Sequence, residues 1–234
     1  MSRVTELRER LRASVNIAAD RQTYFFKTEP GAYAAHDKFL GVRVPTLREL
    51  AKEFSGLSRD DLQILLDSEF NEERQIALFV LIAQYRKARG AAKETLHQFY
   101  MNNLHRVNNW NLVDSSARDI LGDHLFFFFD RTILMNLADS SILWERRVAV
   151  VATWSFIRRG DFGWTLCLAK RLLKDPHDLM HKAIGWMLRE VGERDEQVLR
   201  AFLDQHAPHM PRTMLRYAIE KFSPQDREHY RGKK

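Results

Sequence analysis

The chain has 234 residues, and its 45% hydrophobic content, with 15 Phe, 6 Tyr and 5 Trp, excludes a wholly disordered protein. It contains only 10 Gly and 6 Pro, a composition that disfavours turn-rich β architectures and favours helices. The single cysteine cannot form an internal disulfide, the longest apolar run (Ile76–Ala83) is too short to cross a bilayer, and the highly charged N-terminus lacks a signal-peptide pattern. These features predict a protein of the reducing cytosol with no membrane association.

The charge is distributed unevenly along the chain. Lys and Arg number 37 against 31 Asp and Glu, a net charge of +6. Residues 1–140 contain 19 of each sign, so the whole excess falls in residues 141–234, with 18 basic and 12 acidic side chains. A one-sided basic surface suits a phosphate backbone, although an excess of this size is also common in ordinary cytosolic proteins.

Helical periodicity dominates the chain from end to end. Residues 73–87 place Ile76, Phe79, Val80 and Ala83 on one stripe, which predicts an amphipathic helix. Residues 148–157 are apolar almost all round, which indicates an inner helix. Sustained period-two alternation is scarce, so the predicted class is all-α. Helices are expected to end near the glycines, which lie at positions 56, 90, 122, 160 and 192.

A degenerate repeat organises these helices. Five segments share a polar residue followed by small or apolar ones; they begin at Gln75, Asn111, Arg147, Lys182 and Arg216, at intervals of 36, 36, 35 and 34 residues. That interval fits two helices and their turns, which predicts a curved α-solenoid of HEAT-like helical repeats with a concave face. A generic helical bundle is the alternative. We expect one domain over residues 1–234, with an N-terminal helical cap over about 1–30 and a disordered tail at 231–234.

One acidic residue interrupts the apolar pattern of the repeat. Asp114 occupies the fourth position of the second segment, where the other segments carry Leu, Val, Gly or Ile. Burying a carboxylate alone is costly, so this side chain is expected to have a partner or to take part in chemistry. Trp110 lies four residues earlier and therefore on the same helical face.

Cations gather at equivalent positions of the later segments. Arg147 opens the third segment beside Arg146, while Lys182, Trp186 and Arg189 form one stripe on the fourth. Stacked repeats would bring these groups to one patch with the acid and the first indole. Simpler interpretations stay open. Trp186 could be a core residue, Asp114 could form a structural ion pair with Arg147, and Lys182 and Arg189 could belong to a solvated helix face. The joint occurrence at equivalent positions favours a functional patch.

Four segments resemble the bacterial AlkD-like family of DNA alkylation repair glycosylases. They are LGVRVP (residues 40–45), NWNLVDSSARDILGDHL (109–125), WERRVAV (144–150) and HKAIGWMLREVG (181–192), and the similarity runs from about Tyr33 to Phe222. The resemblance implies a curved solenoid of HEAT-like repeats. It also implies hydrolysis of the N-glycosidic bond of cationic N3- or N7-alkylated purines in duplex DNA. No cofactor is predicted.

The resemblance also implies roles for individual residues. Asp114 is similar to the family's catalytic carboxylate, and Trp110 and Trp186 are similar to the aromatic pair that flanks the deoxyribose. Asn109 departs from the family, since some relatives have another tryptophan there. The implied DNA-binding residues are Arg147, Arg146, Lys182, Arg189 and, as an N-terminal aromatic contact, Tyr33.

Two other candidate sites are weaker. His177 and His181 have the i, i+4 spacing of a zinc pair, but no third ligand is evident, so no metal site is predicted. Cys167 lies among apolar residues, which favours a buried thiol over a nucleophile.

Two rival functions remain beside the glycosylase. One is a noncatalytic helical-repeat DNA-binding protein that recognises damaged or branched DNA, and the other is a protein-interaction scaffold. For the glycosylase we expect a monomer in the bacterial cytosol, with double-stranded DNA containing alkylated purines as its partner.

Overall fold

The computed structural model describes residues 2–16, 25–127 and 130–232, and the regular structure in these ranges is helical apart from one isolated β-bridge between Lys38 and Phe70. The all-α class is therefore confirmed. Within the same ranges, no helix combines the length and apolar character needed to cross a bilayer. The chain divides into two compact units, Met1–Ser116 and Ala117–Lys234, which are described in turn.

The first unit is built around one long helix. Its helices are α1 (Arg3–Ala13), α2 (Val44–Glu53), α3 (Arg59–Leu66), α4 (Asn71–Lys87), α5 (Gly90–Asn102) and α6 (Trp110–Ser116), with a short 3₁₀ turn at Leu104–Arg106. Helices α2, α3, α5 and α6 all pack against α4. The predicted one-sided stripe of α4 is therefore wrong: Arg74 and Gln75 are buried as well, because neighbours surround the helix.

The second unit is also arranged around one long helix. It contains a π-helical turn (Arg118–Gly122), α7 (Asp123–Phe126), α8 (Thr132–Ala138), α9 (Leu143–Ala152), α10 (Trp154–Ile157), α11 (Gly163–Arg171), α12 (Asp178–Arg194), α13 (Glu196–His206), a 3₁₀ turn (Ala207–His209), α14 (Arg212–Ala218) and α15 (Pro224–Gly232). Helices α9, α10, α11, α13 and α14 pack against α12. The inner helix expected at 148–157 is divided between α9 and α10, and its side chains are buried except at Trp154.

The predicted repeat corresponds to packed helices. The five segments fall on α4, α6, α9, α12 and α14, one segment to each helix. In the first unit α4 packs against α6, and in the second α9 packs against α12 and α12 against α14. Successive segments within each unit thus contact one another, as a helical repeat requires.

Two glycines expected at helix ends instead lie inside helical segments. Gly122 belongs to the π-helical turn, where a Cβ would lie 2.1 Å from the Ala152 carbonyl oxygen, and Gly192 lies inside α12. Gly185 permits a close approach of α12 to α14, since a Cβ there would lie 2.5 Å from the Met214 carbonyl oxygen. Gly122 and Gly185 are therefore required by packing against a neighbouring backbone and not by chain reversal, whereas Gly192 faces only the end of the Leu199 side chain.

The predictions for the N-terminal cap and the C-terminal tail can be compared with the structure in part. Helix α1 provides helical structure in the predicted N-terminal cap, while residues 17–24 of that cap lie outside the described residues. Arg231 and Gly232, assigned to a disordered tail, belong to α15, so this part of the prediction is wrong. Lys233 and Lys234 lie outside the described residues.

Candidate functional site

The start of α6 presents the predicted acid and the first indole together. Asn109, which is fully buried, accepts the Trp110 backbone N–H through Oδ1 at 2.7 Å and so fixes the first turn of the helix. Trp110 and Asp114 follow one turn apart, and both side chains are partly exposed. The helix therefore holds a carboxylate beside an indole on a face that remains accessible to a ligand.

A buried polar network anchors this helix to α4. The Asp37 carboxylate, 6% exposed, forms an ion pair with Arg74 and accepts Nδ2–H bonds from Asn71 at 2.9 Å and Asn109 at 2.6 Å. Asn111 extends this hydrogen-bond network, since its Nδ2–H donates to Asn71 Oδ1 at 2.7 Å. A buried carboxylate with a cation and amide donors is well satisfied, so the network rigidifies the base of α6. Sequence reasoning identified Asn109 only as a departure from the family.

Phenylalanine rings surround Trp110. Phe26 stacks on the indole with ring centroids 5.2 Å apart, and it stacks in turn on Phe39 at 4.2 Å. Phe25, which is 61% exposed, meets the indole edge-on at 5.6 Å. Trp110 is thus held by an aromatic cluster that the sequence analysis did not find. Tyr33, the aromatic contact that it did suggest, lies half-buried in the turn region that follows Pro30.

The LGVRVP segment is fixed by one buried acid in the first turn of α4. The Glu72 carboxylate, 2% exposed, accepts the backbone N–H groups of Leu40 at 3.0 Å and Gly41 at 2.9 Å. Several N–H donors on one carboxylate compensate for its burial. This segment therefore has a rigid backbone next to α2.

In the second unit one carboxylate orients two indoles. Trp186 Nε1–H donates to Glu190 Oε1 at 2.8 Å, and Trp154 Nε1–H donates to Glu190 Oε2 at 3.1 Å. Both indoles are partly exposed, so neither is fully buried. Trp154 and Glu190 are functional candidates that the sequence analysis missed.

Two arginines lie over the Trp154 ring. The Arg118 Cζ is 4.5 Å from the ring centroid and the Arg158 Cζ is 5.0 Å from it. Arg118 comes from the π-helical turn, a distortion that often marks functional segments, and its carbonyl accepts the Ser155 hydroxyl at 2.7 Å.

The predicted cations of α12 have acidic neighbours at the surface. Lys182 Nζ lies 2.9 Å from Asp178 Oδ2 with 37% of its side chain exposed. Arg189 forms an ion pair with Glu220 and is 20% exposed. Exposed ion pairs are weak, so both cations are able to exchange these partners for phosphate oxygens.

The two predicted arginines of α9 are engaged internally. Arg146 Nε donates to Asp175 Oδ2 at 2.7 Å, and its Nη1 donates to the Ser140 carbonyl at 3.0 Å. Arg147 is only 5% exposed and donates to the Leu179 carbonyl at the start of α12. Their contact with DNA stays a prediction, and in the structure both arginines fasten α9 to its neighbours.

His177 and His181 both form hydrogen bonds with backbone groups around the start of α12. His177 Nδ1 accepts the Leu179 N–H at 3.1 Å, and His181 Nε2–H donates to the Asp175 carbonyl at 2.6 Å. Burial is the main cause that lowers the pKa of His177. These contacts give both side chains a role in ordering the N-terminus of the helix.

The prediction that the Cys167 thiol is buried is wrong. Cys167 is exposed, because α11 turns Thr165, Leu168 and Ala169 towards the core and Cys167 away from it.

The segments that the sequence analysis singled out lie within a match to a known protein family. The family model described as DNA alkylation repair enzyme matches residues 7–222, nearly the whole chain. The chain belongs to the DNA alkylation repair enzyme family. The match includes every residue that the sequence analysis proposed for catalysis or DNA binding.

A solved structure supports the same fold for this DNA alkylation repair family member. The structure of a predicted DNA alkylation repair enzyme from Enterococcus faecalis is similar to it with a TM-score of 0.67, covering 88% of this chain and 95% of the other at 14% sequence identity. No curated protein matches the sequence.

Proposed function

We propose that the protein is a monofunctional DNA glycosylase that hydrolyses the N-glycosidic bond of cationic N3- or N7-alkylated purines in duplex DNA. The observation that carries this proposal is the pairing of Asp114 with Trp110, one turn apart and both partly exposed on α6, in a chain of the DNA alkylation repair family. A scaffold for proteins alone would need neither group.

The chemistry follows from the charge of the lesion. An alkylated purine with a positive ring is already a good leaving group, so no strong acid is needed at the base. As the C1′–N bond breaks, its electron pair neutralises the purine and the sugar becomes an oxocarbenium-like cation. Water then attacks C1′, and its proton passes to the carboxylate of Asp114.

The carboxylate contributes mainly through electrostatics. Two unit charges about 4 Å apart attract by roughly 4 kcal/mol at an effective dielectric constant of 20. If this attraction develops only in the transition state, it accelerates the reaction about a thousandfold. Neutral lesions such as uracil gain nothing at the leaving group, so they are expected to be poor substrates.

The indoles and the cations hold the substrate. The faces of Trp110 and Trp186 attract the developing positive charge of the sugar by about 1 kcal/mol each. Phosphate contacts fix the position of the DNA without reading its sequence. We assign them to Lys182, Arg189, Arg147 and Arg146, with Tyr33 as an aromatic contact. The protein is expected to act as a monomer in the cytoplasm.

The test is release of 7-methylguanine from a methylated duplex by wild type, Asp114→Asn and the control Asp139→Asn. Asp139 is an exposed aspartate paired with Arg171, so the control makes the same charge change away from α6. Asp114→Asn is expected to release base about a thousandfold more slowly with little loss of affinity, since transition-state charge is removed. Asp139→Asn is expected to behave like wild type.

The same assay separates the rival functions. Salt-sensitive DNA binding without base release by wild type would replace the glycosylase with a noncatalytic protein that recognises damaged or branched DNA. Binding to no DNA would leave the scaffold. Base release by Asp114→Asn at the wild-type rate would remove the proposed role of the carboxylate.

A further inference from the structure

We propose that Arg118 and Arg158, stacked on Trp154, form a binding site for a DNA backbone phosphate beside Trp186. This site is separate from the cations assigned above and rests on the proposed function, because the ligand is the phosphodiester next to the alkylated nucleotide.

The two guanidinium groups are held in place by one ring. Their Cζ atoms lie 4.5 Å and 5.0 Å from the Trp154 centroid, and the indole itself is tied to Glu190 at 3.1 Å. A guanidinium that stacks on an aromatic face keeps its N–H edge available, and its rotamer freedom is already reduced. Each guanidinium is therefore preorganised to donate to a phosphate oxygen beside the ring.

The other contacts of Arg118 leave hydrogen-bonding capacity unused. Within the described residues the buried Nε of Arg118 has no hydrogen-bond partner, and its ion pair with Asp119 is loose, with 3.6 Å between Nε and Oδ2. Arg159 offers a contrast, since it donates to Asp123 Oδ1 at 2.6 Å. Arg158 is exposed. Phosphate oxygens would accept from the outer N–H groups of Arg118, whose side chain is 30% exposed, and from the exposed guanidinium of Arg158.

The position of the site follows from Glu190. Its two carboxylate oxygens accept the Trp154 and Trp186 N–H groups at 3.1 Å and 2.8 Å, so the two indoles are neighbours. If Trp186 faces the deoxyribose of the damaged nucleotide, the arginine pair meets the backbone of the same strand close to it. Two like charges beside one ring also repel each other, and a bound phosphate relieves this repulsion.

The experiment measures binding of an unmodified duplex by fluorescence anisotropy between 50 and 200 mM salt. The variants are Arg118→Gln, Arg158→Gln and the control Arg171→Gln, whose arginine pairs with Asp139 at the surface. Each of the first two is expected to reduce the magnitude of the slope of log association constant against log salt by up to about 0.9, the value for one phosphate contact, since the other arginine still faces the same phosphate. The control is expected to leave the slope unchanged.

A variant that keeps the net charge tests the stack itself. Trp154→Leu removes the ring and retains both arginines, and we expect it to weaken binding about two- to fivefold, the range of one exposed cation–π contact. Wild-type affinity in this variant would contradict preorganisation by the ring. Circular dichroism verifies the fold of each variant. If Arg118→Gln does not fold, the salt dependence of Arg158→Gln alone tests the site, because the Arg158 side chain is exposed and its replacement leaves the core intact.

The outcomes distinguish this inference from the proposed function. Slopes for Arg118→Gln and Arg158→Gln that equal that of Arg171→Gln overturn the phosphate site, even if wild type releases 7-methylguanine. Reduced slopes support the site, even if wild type releases no base, and in that case only the glycosylase assignment fails.

Discussion

The contact between α12 and α14 gives the sharpest prediction about the fold, and Gly185→Ala is the perturbation that probes it. An alanine Cβ would lie 2.5 Å from the Met214 carbonyl oxygen and 2.5 Å from Tyr217 Cβ. Neither atom can rotate away, because one belongs to the backbone and the other is bonded directly to it. The two helices must separate by nearly 1 Å to restore ordinary contact distances.

The magnitude follows from two opposing effects. Overpacking of this kind costs about 3 kcal/mol at the upper end of the usual range, while Ala gains about 1 kcal/mol over Gly in a helix interior. Gly185→Ala is therefore expected to lower the free energy of unfolding by about 2 kcal/mol. Gly192→Ala is the matched control in the same helix, since its Cβ meets Leu199 Cδ2 at 2.4 Å, the mobile tip of a side chain. It is expected to stay within about 1 kcal/mol of wild type.

Urea unfolding followed by circular dichroism measures both variants. At a slope of about 2 kcal/mol per molar urea, the Gly185→Ala midpoint should fall by about 1 M. Equal midpoints for Gly185→Ala and Gly192→Ala would refute the reasoning, because they would mean that α12 and α14 tolerate a side chain at position 185.

Two further predictions concern side chains at α12. Glu190→Gln removes the negative charge that accepts both indole N–H groups. Base release should therefore fall about tenfold, and the tryptophan emission of the free protein should shift. The control Glu193→Gln, at an exposed position of the same helix, should change neither. His177 caps the helix through a neutral Nδ1 and burial lowers its pKa, so the unfolded chain binds the proton more readily and the stability that His177 contributes is lost as the pH falls from about 7 to 5. His177→Asn keeps a capping acceptor and should show a smaller decrease in unfolding free energy over that range; identical pH profiles would contradict this role.

The sequence predicts the parts of this molecule that depend on local spacing. Amphipathic patterns and the interval of about 36 residues identified the helices that carry the five repeat segments. The i, i+4 spacing alone placed Trp110 and Asp114 on one face of α6, where the structure has them. Helical geometry fixes these relationships within one or two turns, so no tertiary information is needed.

Contacts between distant polar residues were not predictable in the same way. Asp37 and Asn109 are 72 positions apart, and no periodicity connects a carboxylate to an amide at that distance. The contact of Trp154 with Arg118 could have been predicted from the repeat. Arg118 follows Asn111 by seven positions, and Trp154 follows Arg147 by seven, so the two residues are equivalent in successive segments. Equivalent positions of successive repeats come together when their helices pack, so comparing repeats column by column would have found this pair.

The exposed thiol has a practical consequence. Because Cys167 is the chain's single cysteine and lies on the outer face of α11, a maleimide dye attaches at one defined position without any prior cysteine replacement. The label leaves Asp114, the indoles and the arginine pair chemically intact. Energy transfer from that dye to a labelled duplex would then report how the bound DNA is oriented on the protein.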